Sequence, residues 1–457
     1  MNIDQQLRQI ISQAVAQYYD DQNAEKTHVV YSVSAILEKA TQAQQKLCAL
    51  PLKGREKIIQ AIRTQMASVG YDLLKAAIDQ TKMGCLDDKL INLNLILNNT
   101  PGLGDLAATV NTGDDGLTLN EYSAYGVIAS IVPVNNLIET IICNSIGMIS
   151  AGNAVVFVSP DSIYPVAQQL VAELAKILVH AGAPEHLVAL LPETQAVELV
   201  GHEQVDMVVV TGMPDTALQI PLTKKTIITG CAHAPVVVDQ TANIEQAAQD
   251  IVAGAAFDNN LSFIAEKAIV VVDSVADYLL HHLAKEGAYV VTDDVLMQKL
   301  EALAQESMQI PSSFKGRSAG DILYFLGIQN QQDARLIIVE VDNGNHPLLT
   351  NNLMAPILPL IRAKNVHRAI TLAKEIEGGC KHTAIMHSKH IDHLTECART
   401  LQVVLFVKNA PSYAGLGLRG EGYTSFTIAA VTGEGPTSAR HFGRNRRCVL
   451  SEGFLIK

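Results

Sequence analysis

The sequence lacks the short patterns that mark several common kinds of functional site. Its seven cysteines include no CxxC pair, and no HExxH segment is present, so the usual spacings of a zinc site are missing. The stretch from Cys380 to Cys397 contains four histidines but no paired ligand spacing, and we expect no metal site there. There is also no Walker loop, no Ser-His-Asp arrangement and no complete GxGxxG after a strand.

Basic charge and uninterrupted apolar runs are scarce as well. The net charge of −12 at pH 7 argues against nucleic-acid binding, because neutralising phosphates requires a basic face. The one dense group of arginines, between 440 and 447, is interpreted as a solvated patch or a subunit contact. The most apolar long region, 125–160, is interrupted by Asn135, Asn136, Glu139 and Asn144, which are costly in hydrocarbon, so we expect no membrane span.

The cysteines also bear on the cellular compartment. They are odd in number and scattered, and the N-terminus does not resemble a secretory leader. These features favour a cytoplasmic protein whose thiols are all reduced.

What the sequence does contain is a large apolar fraction in an α/β order. With 457 residues, 48% of them hydrophobic, the chain is expected to form two or three domains. The pattern from Tyr31 to about Asn99 is helical, and beyond Thr118 short apolar runs alternate with helical segments. These runs show no period-two alternation, which predicts parallel sheets covered by helices on both faces.

The first twenty residues form a separate feature. Apolar residues from Ile3 to Tyr18 recur at helical spacing, and a polar linker follows them. An amphipathic helix separated from the core needs a partner for its apolar face, unless it folds back on its own domain.

Several long motifs, in order along the chain, resemble the CoA-acylating aldehyde dehydrogenases of ethanolamine and propanediol breakdown. They include "VPVNNLIETIICNSIGMISAGNAVVFVSP", "APVVVDQTANIEQAAQDIVAGAAFDNN", "HTAIMHS" and the segment around "GLGLRGEG", and the resemblance extends from about residue 30 to the C-terminus. It implies an aldehyde dehydrogenase-like α/β fold, with two Rossmann-like domains, a β oligomerisation arm, and NAD and CoA as ligands. Residues 1–20 resemble the helices that package such enzymes in bacterial microcompartments through a shell or cargo protein.

The resemblance also implies the domain boundaries. Residues 1–20 are assigned to a targeting helix, 25–240 to a nucleotide-binding domain, 241–425 to a catalytic-type domain and 426–457 to a C-terminal oligomerisation segment. The hairpin-like stretch 109–123 is expected to bridge subunits, because unpaired strand edges are satisfied across an interface. A homodimer or a tetramer follows from this reading.

The family's nucleophile is the point at which this sequence departs. In the family, a cysteine three residues after "FDNN" attacks the aldehyde, hydride passes to NAD, and the acyl group leaves on CoA; here that residue is Phe263. A phenyl ring can neither ionise nor form a covalent adduct. Asn136 matches the family's oxyanion-stabilising asparagine, although a role in the turn alone would also explain it.

The resemblance further implies a set of cofactor-binding residues. These are Pro133, Val134, Ser159, Thr211, Gly212, Gly230 and Asn352. Asn352 replaces a glutamate that binds ribose hydroxyls in the family, and Met213 replaces a glycine. Further departures at Asp161, at Arg419 and in the loop 230–235 indicate relaxed selection for the reaction.

Two residues are candidates to replace the lost nucleophile. Ser262 is adjacent but needs a base, and the loop that carries Cys231 passes close to the nicotinamide in the family. Three hypotheses remain. The chain is a catalytically silent structural or regulatory subunit of a microcompartment, an aldehyde oxidoreductase with a displaced nucleophile, or a nucleotide or CoA binder without redox chemistry.

Overall fold

The computed structural model describes residues 32–212, 220–221, 223–305 and 314–452. The predicted targeting helix, residues 1–20, and Met213 lie outside these residues. No helix in the described ranges is both long and apolar enough to cross a membrane.

The helices and strands alternate along most of the chain. The first part contains α1 (Val33–Ala49), α2 (Leu52–Thr81), α3 (Leu86–Asn99), β1 (Thr109–Gly113), β2 (Gly116–Ala124), β3 (Val127–Ile131), α4 (Leu137–Ser150), β4 (Ala154–Ser159), α5 (Tyr164–His180), β5 (Val188–Pro192), α6 (Ala196–Gly201), β6 (Met207–Val210) and β7 (Lys225–Ile228). The second part contains β8 (Ala234–Val238), α7 (Ile244–Ala256), β9 (Glu266–Val272), α8 (Asp273–Lys285), β10 (Ala288–Val290), α9 (Asp294–Gln305), α10 (Ala319–Phe325), β11 (Leu336–Val341), α11 (Pro347–Thr350), β12 (Ile357–Ala363), α12 (Val366–Glu377), β13 (Thr383–His387), α13 (Ile391–Leu401), β14 (Leu405–Lys408), β15 (Ile428–Ala429), β16 (Gly435–Pro436) and β17 (Gly443–Ser451).

Two parallel sheets form the centres of the molecule. The first has the order β5-β4-β3-β6-β7, and the second has the order β10-β11-β12-β9-β8-β13-β14. The central strands β3, β4, β6, β8, β9 and β13 are buried along their whole length, as expected for sheets covered by helices on both faces. The predicted α/β class and the parallel pairing are confirmed.

One predicted boundary differs from the observed topology. β8 pairs with β9 and β13, so it belongs to the second sheet although the predicted first domain extends to residue 240. The chain therefore passes from one sheet to the other within the segment 229–233, which we call the crossover segment. The apolar run "APVVVD" gave no indication of which sheet it would join.

Helix α4 connects the first sheet to the functional cleft. All fourteen of its residues are buried, which explains why the region 125–160 is so apolar without spanning a membrane. Phe442 packs directly on Gly147, where a Cβ atom would lie 2.9 Å from the phenylalanine ring. Because the helix is fixed on all sides, its N-terminal residue Asn136 has a defined position at the end of β3.

A third, antiparallel sheet has the order β1-β2-β17 and projects from the two parallel sheets. Its central strand β2 pairs with β17 over nine residues, from Gly116 with Ser451 to Ala124 with Gly443. Strand β17 is almost fully exposed, and β1 and β17 each have an outer edge without a strand partner in the part of the chain that the structure describes.

Candidate functional site

A cavity of about 550 Å³ lies between the first sheet and the loop that precedes β9. Residues after β3 and β6 line one wall, as expected for a parallel sheet, in which ligands bind beyond the carboxyl ends of the strands. Phe263, Lys315 and Met354 from the second half of the chain line another wall. We call this cavity the nucleotide cleft.

Four of the seven residues predicted to bind a cofactor line the nucleotide cleft. These are Pro133, Val134, Thr211 and Gly212. The hydroxyl of Ser159 instead donates to the carbonyl of Pro160, and Gly230 lies against Val431. Neither residue lines the cavity, and their role in cofactor binding stays a prediction.

Asn352 is the third predicted cofactor residue that lies outside the cavity lining. Its amide nitrogen donates to the carbonyl of Ala232 at 3.0 Å, and its Oδ1 accepts from the backbone N–H of Met354 at 3.1 Å. The side chain therefore links the crossover segment to the loop of Met354, and it does not line the nucleotide cleft.

A second cavity of only about 30 Å³ adjoins the first and is lined by Asn136, Thr140 and His382, among others. Phe263 lines both cavities, and its ring meets the imidazole of His382 edge-on at 6.3 Å between centroids. We call this second cavity the acyl pocket, because it surrounds the position of the family's nucleophile. One water molecule occupies about 30 Å³ in the liquid, so little room remains beside the phenyl ring.

The loop that presents Phe263 has an unusual backbone. Asp258, Asn259 and Asn260 all have positive φ angles, of 48°, 52° and 63°. Asparagine and aspartate tolerate this left-handed conformation better than other residues with a side chain, because their short polar groups bond locally. Three such residues in succession persist only where the surrounding structure holds them.

Hydrogen bonds from distant parts of the chain hold this loop. The backbone N–H of Asp258 donates to Asp88, and the amide of Asn259 donates to the carbonyl of Gly316. The amide of Asn260 donates to the carbonyls of Ala255 and Glu266. These bonds fix the backbone that leads to Phe263.

A buried ammonium group connects the loop to Asn136. Lys89 Nζ lies 2.9 Å from Asp258 Oδ2, 3.4 Å from Glu139 Oε1 and 3.4 Å from Asn136 Oδ1. Since the amide oxygen of Asn136 accepts from Lys89, its NH₂ group is left to donate elsewhere, and the residue lines the acyl pocket. Lys89 was not predicted as a site residue, because its partners are far away along the chain.

This cluster holds one cation and two carboxylates. Burial alone would lower the pKa of Lys89, but the carboxylates of Asp258 and Glu139 outweigh it and raise that pKa above its ordinary value. Burial raises the pKa of Asp258 to about 6 despite the neighbouring ammonium, and the charge of Glu139 acts in the same direction. One ammonium group keeps its proton but cannot fully neutralise two buried carboxylates.

Two more charged groups are buried behind the loop. Burial raises the pKa of Glu266 to about 7 and lowers the pKa of Lys267 to about 7. Glu266 accepts from the N–H and hydroxyl of Ser412, while Lys267 donates to the carbonyl and side-chain oxygens of Asn260.

Neither predicted substitute supplies an activated nucleophile. Ser262 lines the acyl pocket, but its hydroxyl has no hydrogen bond to a basic group among the described residues. The sulfur of Cys231 is bonded to that of Cys380, so the predicted thiolate at Cys231 is wrong for this form of the chain. The expectation that all seven cysteines are reduced is wrong for the same pair.

The acyl pocket contains further polar groups. The hydroxyl of Thr140 is buried and has no hydrogen-bond partner among the described residues, and burial lowers the pKa of His382 to about 4, which keeps the imidazole neutral. Without a hydrogen-bonded base, the hydroxyl of Thr140 is not activated as a nucleophile.

The chain belongs to the aldehyde dehydrogenase family, because the family model described as "Aldehyde dehydrogenase family" matches residues 21–415. Its similarity is to the CoA-acylating branch. The chain is 39% identical over 435 residues to the propanal dehydrogenase (CoA-propanoylating) of Salmonella typhimurium, covering 94% of this chain and 93% of that protein. The family predicted from the sequence motifs is confirmed.

Solved structures agree with this assignment. The propionaldehyde dehydrogenase of Rhodopseudomonas palustris with bound propionyl-CoA superimposes with a TM-score of 0.89 at 42% identity, covering 92% of this chain and 94% of that one. A propionaldehyde dehydrogenase from the fucose utilisation bacterial microcompartment of Clostridium phytofermentans gives a TM-score of 0.90 at 36% identity, with 94% and 99% covered.

Proposed function

We propose that this chain is a catalytically silent member of the CoA-acylating aldehyde dehydrogenases that acts as a structural or regulatory subunit. The observation that carries the proposal is Phe263, which stands where the family resemblance places the nucleophile and which lines both cavities. Without a sulfur at this position, the thiohemiacetal from which hydride would pass to NAD does not form, and the later transfer to CoA has no acyl donor.

The proposal extends to the ligands and the setting of the chain. The nucleotide cleft of about 550 Å³ is large enough for part of a dinucleotide or CoA, and the similar enzyme from R. palustris holds propionyl-CoA. NAD- or CoA-class binding without turnover is therefore part of the proposed role. Assembly in a microcompartment, through residues 1–20, is supported by the C. phytofermentans relative.

We further propose that the β1-β2-β17 sheet joins subunits into a homodimer or tetramer. Its outer strands are exposed over most of their length, and Val110, Val449 and Leu450 present apolar side chains to solvent. Exposed strand edges pair readily with another chain. Light scattering on the full chain and on a chain ending at residue 442 should show a larger assembly only for the former.

An NAD- and CoA-dependent aldehyde assay tests the silent role. The unmodified chain should give no turnover with either acetaldehyde or propionaldehyde, while Phe263→Cys should gain it, because the loop and Asn136 are in place. Turnover by the unmodified chain would overturn the proposal. Phe263→Ser is the matched control, since it opens the same space but leaves a hydroxyl without a base.

Packaging is tested separately. The full chain and a chain without residues 1–20 are each fused to a fluorescent protein and expressed beside a microcompartment operon. Localisation to the compartment should be lost with the deletion, and equal localisation of both chains would refute a targeting role.

A further inference from the structure

A covalent link joins two segments that both supply residues to the acyl pocket, Thr229 on one side and His382 on the other. Cys231 lies in the crossover segment, between the last strand of the first sheet and the first strand of the second. Cys380 lies in the turn between α12 and β13, and its Cα is 5.4 Å from that of Cys231, within the usual range for a disulfide. The two residues are 149 positions apart in the sequence.

On one side, the neighbours of Cys231 hold the walls of the nucleotide cleft. The hydroxyl of Thr229 accepts from the N–H of Gly212 at 2.8 Å, and Gly212 lines the cleft. The carbonyl of Ala232 accepts from Asn352, whose Oδ1 in turn fixes the N–H of Met354, another lining residue. Movement of the crossover segment therefore reaches both of these wall residues through one or two hydrogen bonds.

On the other side, the neighbours of Cys380 belong to the acyl pocket. The carboxylate of Glu377 accepts from the N–H groups of Gly379 and His382, which fixes the turn. His382 lines the acyl pocket and meets the ring of Phe263. The disulfide thus joins two segments that both line the acyl pocket, at Thr229 and His382. The nucleotide cleft is reached from the crossover segment only through hydrogen bonds.

The bond is also accessible to small molecules. Cys231 is exposed and Cys380 is half-buried. Exposed disulfides exchange readily with thiols, whereas buried ones are protected, and a disulfide in a reducing compartment is usually transient or redox-sensing.

We propose that Cys231 and Cys380 form a thiol–disulfide exchange site, at which low-molecular-weight thiols open and close a clip that holds the crossover segment against the turn before β13. In the opening reaction, a thiolate attacks the exposed sulfur of Cys231, and Cys380 leaves as a thiolate and takes up a proton. A second thiol then attacks the mixed disulfide. The pair gains two electrons to become two thiols, and the two small thiols are oxidised to one disulfide.

The first test counts thiols in the full chain. Purified without reductant and alkylated after denaturation, each molecule should carry five alkyl groups, on Cys48, Cys85, Cys143, Cys397 and Cys448. After treatment with dithiothreitol it should carry seven. Seven groups without reductant, in protein purified under air and again after incubation with oxidised glutathione, would overturn the proposal.

The second test measures the walls directly and does not depend on ligand binding. Hydrogen exchange of the segments 229–234 and 379–383 should become at least about fivefold faster after reduction, because the link that limits their motion is gone. Cys231→Ser should show the fast exchange without reductant and no further response to it. Cys48→Ser, which removes another exposed thiol, should behave as the unmodified chain does. Equal hydrogen-exchange rates in the oxidised and reduced chains would overturn the proposal that the disulfide limits the motion of these segments.

The third test concerns regulation of the nucleotide cleft and rests on the proposed function. NAD is the probe, because CoA is itself a thiol and would reduce the bond. The dissociation constant for NAD should rise about tenfold on reduction, because ordering a less preorganised cleft costs more free energy on binding. An unchanged dissociation constant would overturn the regulatory part of the proposal. Absence of NAD binding in both states would overturn the proposed nucleotide binding, and the exchange rates would still decide whether the clip exists.

Discussion

The nucleotide cleft and the acyl pocket share the side chain of Phe263 but differ in what surrounds it. The cleft has a volume of about 550 Å³, and loops at the ends of β3 and β6 form part of its wall. The acyl pocket has about 30 Å³ left, yet a network of buried charges and left-handed residues still supports it. The two cavities therefore differ in kind, because one is open space beside loops and the other is nearly filled by a phenyl ring that buried charges and a constrained loop surround.

Lys89→Met is expected to have the largest effect on stability, through the charges buried beside the acyl pocket. It would leave the carboxylates of Asp258 and Glu139 buried without a cation, and breaking a buried pair in this way costs about 3–5 kcal/mol. Urea unfolding followed by circular dichroism gives the change in free energy. Lys75→Met, at an exposed position of α2, is the control and should change stability by less than about 0.5 kcal/mol. Equal losses of stability in the two variants would show that the ion pairs of Lys89 do not stabilise the region around the acyl pocket.

Glu266→Gln tests the buried charges behind the loop through the pH dependence of the free energy of unfolding. The pKa of Glu266 is raised from 4.5 to about 7, so between these values the folded chain binds a proton that the unfolded chain releases. The free energy of unfolding must therefore fall as pH rises through this window, by about 3 kcal/mol for this group. Unfolding curves measured from pH 4.5 to 8 should show this fall in the unmodified chain, and the part due to Glu266 should be missing from the variant. Parallel pH profiles would contradict the assignment.

Asn352→Glu probes the other region, the nucleotide cleft. A carboxylate would be repelled by the carbonyl of Ala232, which now accepts from the amide of Asn352, and would turn toward the cleft. A charge-assisted hydrogen bond to a ribose hydroxyl is worth about 1–2 kcal/mol more than a neutral one, so the dissociation constant for NAD should fall about tenfold. Calorimetric titration measures it. Gln332→Glu adds the same charge on an exposed loop, and an equal gain there would show that the effect is only long-range.

The smallest expected effect is a difference in stability between two variants of Asn259. Both Asn259→Ala and Asn259→Gly remove the hydrogen bond to the carbonyl of Gly316, but only alanine has a Cβ that opposes the φ angle of 52°. The glycine variant should therefore be more stable than the alanine variant by about 1 kcal/mol. If alanine is the more stable, the loop before Phe263 does not keep its left-handed form in solution.

Much of the fold was predictable because burial leaves a local pattern. Continuous apolar runs indicated β3, β4, β6 and most strands of the second sheet. Strands β5 and β10 were missed, since "VALLP" follows a helix with a similar apolar content and β10 is only three residues long. The membership of β8 was missed because pairing between strands far apart in the sequence is not encoded in either strand alone.

Part of the cavity lining was predictable from which residues follow the strands. Pro133, Val134, Thr211 and Gly212 follow strands of a parallel sheet, and such positions face the ligand edge. Lys89 was missed because its carboxylate partners, Glu139 and Asp258, are 50 and 169 residues away. The disulfide was missed for the same reason, since spacing along the chain says nothing about the distance between two sulfurs after folding.

By itself the sequence determined that position 263 holds no atom able to ionise or to bond to a carbonyl carbon, because reactivity belongs to the residue type. It also determined the family and the parallel α/β class through its apolar runs and motifs. Only the tertiary structure decided that the acyl pocket is nearly filled, that Asn352 holds the crossover segment, and that Cys231 meets Cys380. These are distances between segments far apart in the chain, and they are set by how helices and sheets pack.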